Sequence, residues 1–520
     1  MDFRRLFPVA AVLAIYLITG ACATLPRDFE QPVSYAYVDT QDTRLARDFS
    51  QETAANQEKS GFYLLSNGLD AFVARAGLAR AAERCIDVQY YLLHDDLTGY
   101  LFINELYKAA DRGIRVRLLV DDMDLGGRDL GAAVMDSHPK IEVRLFNPFS
   151  RKWFRATQLV IGRLPVHRRM HNKSFTVDNQ VTIVGGRNIG NEYFEANPDL
   201  DYSDLDVMGI GPVVRKVSDS FDLYWNSELA YPATVLRGRP PTTEQIKDQR
   251  KKLDAFAAEQ ENSDYMVSLR TSDLAWKMRQ GNVDFIWGHA EVLYDQPEKI
   301  TNRFEEKKYH LSTQLTPHFD ALQEEVILIS PYFAPGKEGV SFLKALSQRG
   351  VRVRILTNSL SSNDVQIVHA GYAKYRKKML EAGIELYELN KDLNKDERKA
   401  KEGPHNSAKA SLHAKSFVLD RRQVFIGSLN LDPRAVEFNT EIGIMLKSKV
   451  MAGGMANWFD ANIDRVAFRL ELTGDNGKER IVWHGMEGGR PVTYHKDPYT
   501  SIWERFKIDF LSLLPIESQL

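Results

Sequence analysis

MHNKSFTVDNQVTIVGG at residues 170–186 returns as LHAKSFVLDRRQVFIGS at residues 412–428. Each copy carries a histidine, a lysine two positions on and an aspartate five beyond that. These are His171, Lys173 and Asp178 in the first, and His413, Lys415 and Asp420 in the second. In an extended strand, residues two apart share a face, so each His stands beside its Lys. The odd spacing to the aspartate sends it to the opposite face or past a bend.

Working outward, the match persists. RGIRVRLLVDD from Arg112 pairs with RGVRVRILTNS from Arg349, and IEVRLFN from Ile141 pairs with IELYELN from Ile384. Further upstream, IDVQYYL and VILISPYF each precede a helical pattern. The offset is about 240 residues, a long-period internal repeat. Continuous apolar runs alternating with helical patterns predict mixed or parallel sheets covered by helices on both faces. The expected fold is therefore α/β, with two tandem lobes packed as one bilobal body and the active site between them.

The boundaries expected are residues 1–22 for a targeting segment, 23–60 for an N-terminal linker and 61–240 for the first lobe. Residues 241–300 are expected as linker and inter-lobe segment, 301–450 as the second lobe, and 451–520 as a C-terminal extension with an amphipathic helix. Pro240, Pro241 and the basic run Arg250 to Lys252 mark the linker and an exposed helix. The stretch 391–409, dense in charge and holding Gly403 and Pro404, predicts a solvated loop placed to act as a lid.

Composition narrows the function classes. Apolar residues make up 43% and charged residues 27%, and the net charge of −2 gives no global attraction to nucleic acid. Two cysteines, Cys22 and Cys85, exclude a disulfide framework, and Cys85 sits where an apolar strand would bury it. At the N-terminus, Arg4 and Arg5 precede an apolar run and then Gly20, Ala21, Cys22 and Ala23. This pattern predicts export, with lipidation of Cys22, ordinary cleavage or an uncleaved anchor as its three outcomes. The expected location is the bacterial cell envelope, membrane-anchored through a lipid or an N-terminal anchor and facing the periplasm.

GGRN ends the first motif at Asn188 and GSLN ends the second at Asn430. With these, the paired motifs resemble the phospholipase D superfamily, and the wider signature is similar to bacterial cardiolipin synthases of the C type. HDDLTG at 94–99, YDQPEK at 294–299 and the stretch from Ser362 belong to that likeness, which runs from about Gly61 to Leu520. Ala435 departs from it, standing where serine is expected after Asp432-Pro433-Arg434.

The resemblance implies a transfer of a phosphatidyl group to phosphatidylglycerol in two displacements, from phosphatidylethanolamine or a second phosphatidylglycerol. One histidine attacks phosphorus and the other serves as acid, then base. His171 is the expected nucleophile and His413 the acid/base, with the reverse left open by near-equivalent halves. Lys173, Lys415, Asn188 and Asn430 are expected to hold the phosphoryl oxygens, and Asp204 and Glu441, at matched places in the copies, to orient the imidazoles. No metal or other cofactor is expected, because lysine is no ordinary ligand and no H-x-x-x-H or cysteine pair accompanies the motifs.

Phospholipids and a membrane surface are the expected partners; nucleic acid is not, and a protein partner is left open. Hydrolysis, as a phospholipase D or a nuclease, would use the same residues. His94, Asp95, Asp96, Asp121 and Asp122 are equally readable as pocket lining or as turns. The cluster Arg151, Lys152, Arg155, Arg163, Arg168 and Arg169, interleaved with Trp153, Phe154 and Leu159, can seat on anionic headgroups or form a plain basic surface. Trp503, Phe506, Phe510 and Leu514 follow helical spacing and suit either a membrane interface or packing on a lobe.

Overall fold

The computed structural model describes residues 25, 26, 28–151, 155, 158, 167–197, 200–303, 305–391, 409–474 and 479–512. Cys22, Lys152, Trp153, Phe154, Leu159, Arg163, Leu514 and nearly all of the stretch proposed as a lid lie outside them.

In the first lobe the strands are β1 (Ser60–Leu65), β2 (Cys85–Tyr90), β3 (Arg115–Asp121), β4 (Ile141–Phe146), β5 (Ser174–Val177), β6 (Val181–Gly185), β7 (Leu200–Ser203), β8 (Asp206–Ile210) and β9 (Ala230–Pro232). The second lobe is built from β10 (Ile286–Tyr294), β11 (Glu325–Ile329), β12 (Arg352–Asn358), β13 (Glu385–Leu389), β14 (Lys409–Leu412), β15 (Ser416–Leu419), β16 (Gln423–Gly427) and β17 (Ile442–Lys447). It ends in β18 (Ala467–Thr473), β19 (Arg480–Glu487) and β20 (Arg490–Tyr494).

The two sheets share one plan. β2, β3 and β4 run parallel, as do β11, β12 and β13. Against the first strand of each trio, β5 and β15 pair antiparallel, followed by β6 and β8 in one lobe and β16 and β17 in the other. The repeat seen in the sequence is thus a repeat of topology.

Strands buried on both faces explain the apolar runs. In β2, Ile86, Val88 and Tyr90 enter a core with Phe72, Phe102 and Phe175, beneath the helices Gly68–Ala81 and Leu97–Asp111. On the other face Asp87 pairs with the fully buried Arg117 at 2.7 Å. Cys85 is buried, and burial pushes its thiol up to about 12. A second core joins the lobes: Val207, Val213 and Val217 meet Val418, Ile444, Met451 and Phe459 around the helices Pro212–Trp225 and Lys449–Val466.

β10 belongs to both sheets. Its first half pairs with β1, Phe62 opposite Ile286, and its second half with β17, from His289–Lys447 to Tyr294–Ile442. β7 and β14 add a parallel ribbon across the lobes.

Three segments read as linkers or extensions are integral to the body. Residues 243–280 form three helices whose Leu253, Tyr265, Leu269 and Leu274 enter the first lobe's core, although the helix Thr243–Gln260 is otherwise largely exposed, as its charge run suggests. Residues beyond 451 supply β18, β19 and β20, which continue the second sheet outward from β13. The N-terminal strap is tied down by Arg117 and Arg144, whose guanidinium groups donate to the carbonyls of Ser34 and Pro32.

Candidate active site

Each histidine precedes a short antiparallel strand, β5 or β15, in the middle of its sheet, and the main chain aims it at the other lobe. The His171 amide donates to the Thr440 carbonyl at 2.9 Å, and the His413 amide to the Ser203 carbonyl at 2.8 Å. The residues after those carbonyls are the expected orienting acids, and they are exchanged between lobes. His171 Nδ1 lies 2.9 Å from Glu441, and His413 Nδ1 lies 2.5 Å from Asp204. Neither lobe alone completes a histidine–carboxylate pair. The acid contacts engage Nδ1 of each ring, fixing its orientation.

The lysines stand with their histidines. Lys173 Nζ donates to the His171 carbonyl at 2.6 Å, and Lys415 Nζ lies 2.7 and 3.0 Å from the two ring nitrogens of His413. All four side chains are nearly solvent-free. Burial, then Lys173 and Lys415, hold the His171 imidazole well below its ordinary value. Burial and Lys415 also lower His413, with Asp204 opposing. Burial drives Lys173 well down and Lys415 down to about 8.

The two acids diverge. Burial raises Glu441 well above the usual carboxylate range, with Lys173 opposing, whereas His413 and Lys415 overcome the effect of burial at Asp204 and hold it below its ordinary value. Burial thus disfavours the charged form of Glu441, while the neighbouring cations favour that of Asp204.

Smaller groups set these acids. Ser428 Oγ donates to Glu441 at 2.5 Å. At the matching place in the first lobe, a Cβ on Gly186 would fall 2.2 Å from an Asp204 oxygen, so only glycine fits there. Asn188 is fixed, accepting from the Leu92 amide at 3.1 Å and donating to Tyr193 Oη at 3.0 Å. Its counterpart Asn430 is buried with Oδ1 unpartnered, and Ala435 stands where the first lobe has Tyr193. The Ala435 amide instead donates to Asp432 at 2.9 Å.

Asp178 and Asp420 are not brought to the histidines. Both stand beyond β5 and β15, in turns where Asp178 and Asn179 have φ of 52° and 51° and Asp420 and Arg421 have 50° and 53°. Asp178 accepts the amides of Glu83, Arg84 and Cys85, and Asp420 those of Gln323, Glu324 and Glu325, all between 2.7 and 3.0 Å. They fasten the turn to the start of β2 or β11. The bend that the odd spacing allowed for is present in both copies, and although Asp178 and Asp420 complete the H-x-K-x-x-x-x-D motifs expected to be catalytic, their carboxylates are taken up by main-chain amides.

Asp121 and Asp122 are structural as well: Asp121 pairs with buried Arg169 and accepts the Met170 amide, while Asp122 binds Arg151 and Arg155. Arg168 donates to the carbonyls of Lys299 and Ile300. The described members of the basic cluster are thus engaged internally, not spread as a headgroup surface. Asp96 caps the helix Leu97–Asp111 and accepts the Asn191 amide, whereas His94 stands at the pocket rim, 3.1 Å from Glu192, which raises its pKa.

Other contributors carry no motif of their own. Tyr202 stacks on His413 at 5.0 Å between ring centres, Tyr193 meets it edge-on at 5.1 Å, and Tyr91 stands edge-on to His171 at 5.0 Å. Asp364 accepts from the hydroxyls of Tyr202 and Tyr332, bracing the aromatic wall. Asp295, paired with Lys299 at 3.0 Å, accepts the Glu441 amide at 2.8 Å and so fixes that acid from below. Asp295 and Lys299 lie in YDQPEK, Tyr91 in IDVQYYL, Tyr332 in VILISPYF and Asp364 in the stretch from Ser362, but nothing in those segments marked them as neighbours of the histidines.

The profile described as "Cardiolipin synthase, PLD-like domain" matches residues 75–225 and 315–463, one segment per lobe. The chain belongs to that family. Among its relatives, cardiolipin synthase C of Escherichia coli strain K12 is 40% identical, covering 88% of this chain and 95% of that protein. An uncharacterized protein of Helicobacter pylori strain J99 is 30% identical over 93% of this chain and 94% of its own. A cardiolipin synthase of Staphylococcus aureus strain Mu50 is 24% identical over 79% and 68%. The crystal structure of a phosphatidylserine synthase from Haemophilus influenzae shares the fold, with a TM-score of 0.52 and 13% identity over 82% of this chain and 92% of that one. As a homologue of cardiolipin synthases the protein is an enzyme of the phospholipase D superfamily, of the phosphatidyltransferase class.

Proposed function

We propose that the protein makes cardiolipin, moving a phosphatidyl group from phosphatidylethanolamine or phosphatidylglycerol onto a glycerol hydroxyl of phosphatidylglycerol. His171 Nε2 attacks phosphorus and the bond to the headgroup oxygen breaks, His413 delivering the proton to the departing alcohol. His413 then takes the proton of the incoming hydroxyl, the new P–O bond forms, and the P–N bond to His171 breaks. Lys173, Lys415, Asn188 and Asn430 hold the oxygens on which charge builds.

The observation that carries this reading is the exchanged histidine–carboxylate pairing, which brings the two buried histidines close enough for His413, Lys173 and Lys415 to act on His171. The opposite shifts of the two acids support the division of labour: the lowered pKa of His171 suits a nucleophile, while Asp204, held toward its charged form, favours the imidazolium that His413 must become.

Membrane contact belongs to the same reading. Among the described residues no helix is long and apolar enough to cross a membrane. The helix Ile502–Ser512 buries Ile508 against the second lobe but leaves Trp503, Phe506 and Phe510 exposed. This face, with an N-terminal anchor at Cys22, would hold the pocket at the lipid surface.

The test is reconstitution with phosphatidylglycerol and phosphatidylethanolamine vesicles, following cardiolipin, phosphatidic acid and released headgroup by mass spectrometry. Cardiolipin formation abolished by His171→Ala and by His413→Ala is the expected result. Phosphatidic acid without cardiolipin would make the enzyme a hydrolase, and full activity in either variant would overturn the two-histidine mechanism.

A further inference from the structure

A cavity of about 560 Å³ lies in the first lobe, and neither His171 nor His413 lines it. Its walls are β3, β4 and the helices Leu97–Asp111, Asp129–Asp136 and Thr243–Gln260, which contribute Leu118, Val143, Ile103, Val134, Leu253 and Phe256. Leu93 and His94 form its rim. They directly follow Leu92, whose amide holds Asn188, and the His94 amide donates to the Ile189 carbonyl at 2.9 Å. The rim is thus continuous in the main chain with the group expected to hold a phosphoryl oxygen.

A packed core carries few voids larger than a water molecule. An apolar cavity of about 150 Å³ suffices for a benzene ring, so this one holds several times that many carbon atoms. Apolar and aromatic side chains make up most of its walls, with His94, Asp95, Arg128, Arg250 and Lys252 also in the lining, and the apolar majority suits a flexible hydrocarbon.

We propose that this cavity receives one fatty-acyl chain of the phospholipid whose phosphate sits between His171 and His413. The inference rests on the phospholipid reading of the site. It assigns the helices Asp129–Asp136 and Thr243–Gln260 a part in substrate selection by chain length: each methylene that enters leaves water, so long chains are captured and short ones are not.

The cavity is filled in the double variant Gly131→Trp, Leu253→Trp. Gly131 lines it, with no atom within 4 Å of a Cβ built there, and Leu253 enters it from a largely exposed helix. The expected result is a fall of about tenfold or more in kcat/KM for dioleoyl phosphatidylglycerol, with dihexanoyl phosphatidylglycerol consumed as before. Equal loss on both lipids, or none on either, would overturn the proposal.

Photolabelling of the unaltered protein with phosphatidylglycerol bearing a diazirine near the end of one chain gives a second readout. Labelled peptides from 129–136 and 243–260 are expected, and labels confined elsewhere would count against the cavity. Labelling reads binding alone, so its failure is distinct from an absence of cardiolipin in the transfer assay.

Discussion

A glutamate faces His171 and an aspartate faces His413, and each comes from the other lobe. Glu441→Gln and Asp204→Asn keep the shape of these contacts while removing the charge or inverting the favoured tautomer. Each is expected to cut kcat by about a hundredfold or more with the fold intact by circular dichroism; wild-type kcat in either would deny the acids an orienting role. Lys415, lowered to about 8 by burial, sets a pH dependence. Below that value the ammonium is charged and can hold a phosphoryl oxygen; above it the charge is lost, so kcat/KM is expected to fall as pH rises through about 8. Lys415→Arg, whose guanidinium stays charged, should retain less activity but lose this alkaline limb. A limb that persists in the arginine variant would place the titration elsewhere. The spacing His-x-Lys already marked these groups, and the matched positions of Asp204 and Glu441 marked their acids. Which acid serves which histidine was not readable, because the contacts span 209 and 270 residues and depend on how the lobes face each other.

At the scale of elements, the motif aspartates act on turns. Asp178 and Asp420 each gather three amides at the start of a central strand, and an asparagine there accepts more weakly and without charge. Asp178→Asn is expected to lower the unfolding free energy by about 1–3 kcal/mol while the folded fraction keeps its kcat, as read by denaturation and active-site titration. A variant of full stability with no turnover would return Asp178 to the chemistry. The helix Ile502–Ser512 makes a separate prediction: Trp503→Ala with Phe506→Ala should weaken binding to anionic vesicles by about tenfold and leave turnover of short-chain, monomeric lipid unchanged. Binding equal to the parent protein would assign membrane contact elsewhere. Sequence periodicity found this helix and found the exposed helix after Pro241. It misread the surroundings of both linkers, since residues such as Leu269 and Leu274 declare themselves as core only against the particular helix, Gly68–Ala81, on which they pack.

The whole molecule is one cooperative body to the extent that β10 and the shared core make it so. Calorimetry should show a single unfolding transition, and the separately expressed pieces 25–284 and 285–520 should lack activity. Two resolved transitions would mark the lobes as independent. Duplication was legible as four ordered segment matches; the continuity of the sheets was not, because a strand of nine residues that changes partners midway has no signature beyond its length. That strand also limits motion. Hinged enzymes open like jaws to admit a bulky reactant, but here the two halves of the mouth are stitched by one unbroken ribbon, and parting them would tear hydrogen bonds from both. The gap between the histidines is therefore held at one width, and the four-tailed product of the proposed transfer would have to leave by sliding out sideways rather than by an opening of the lobes.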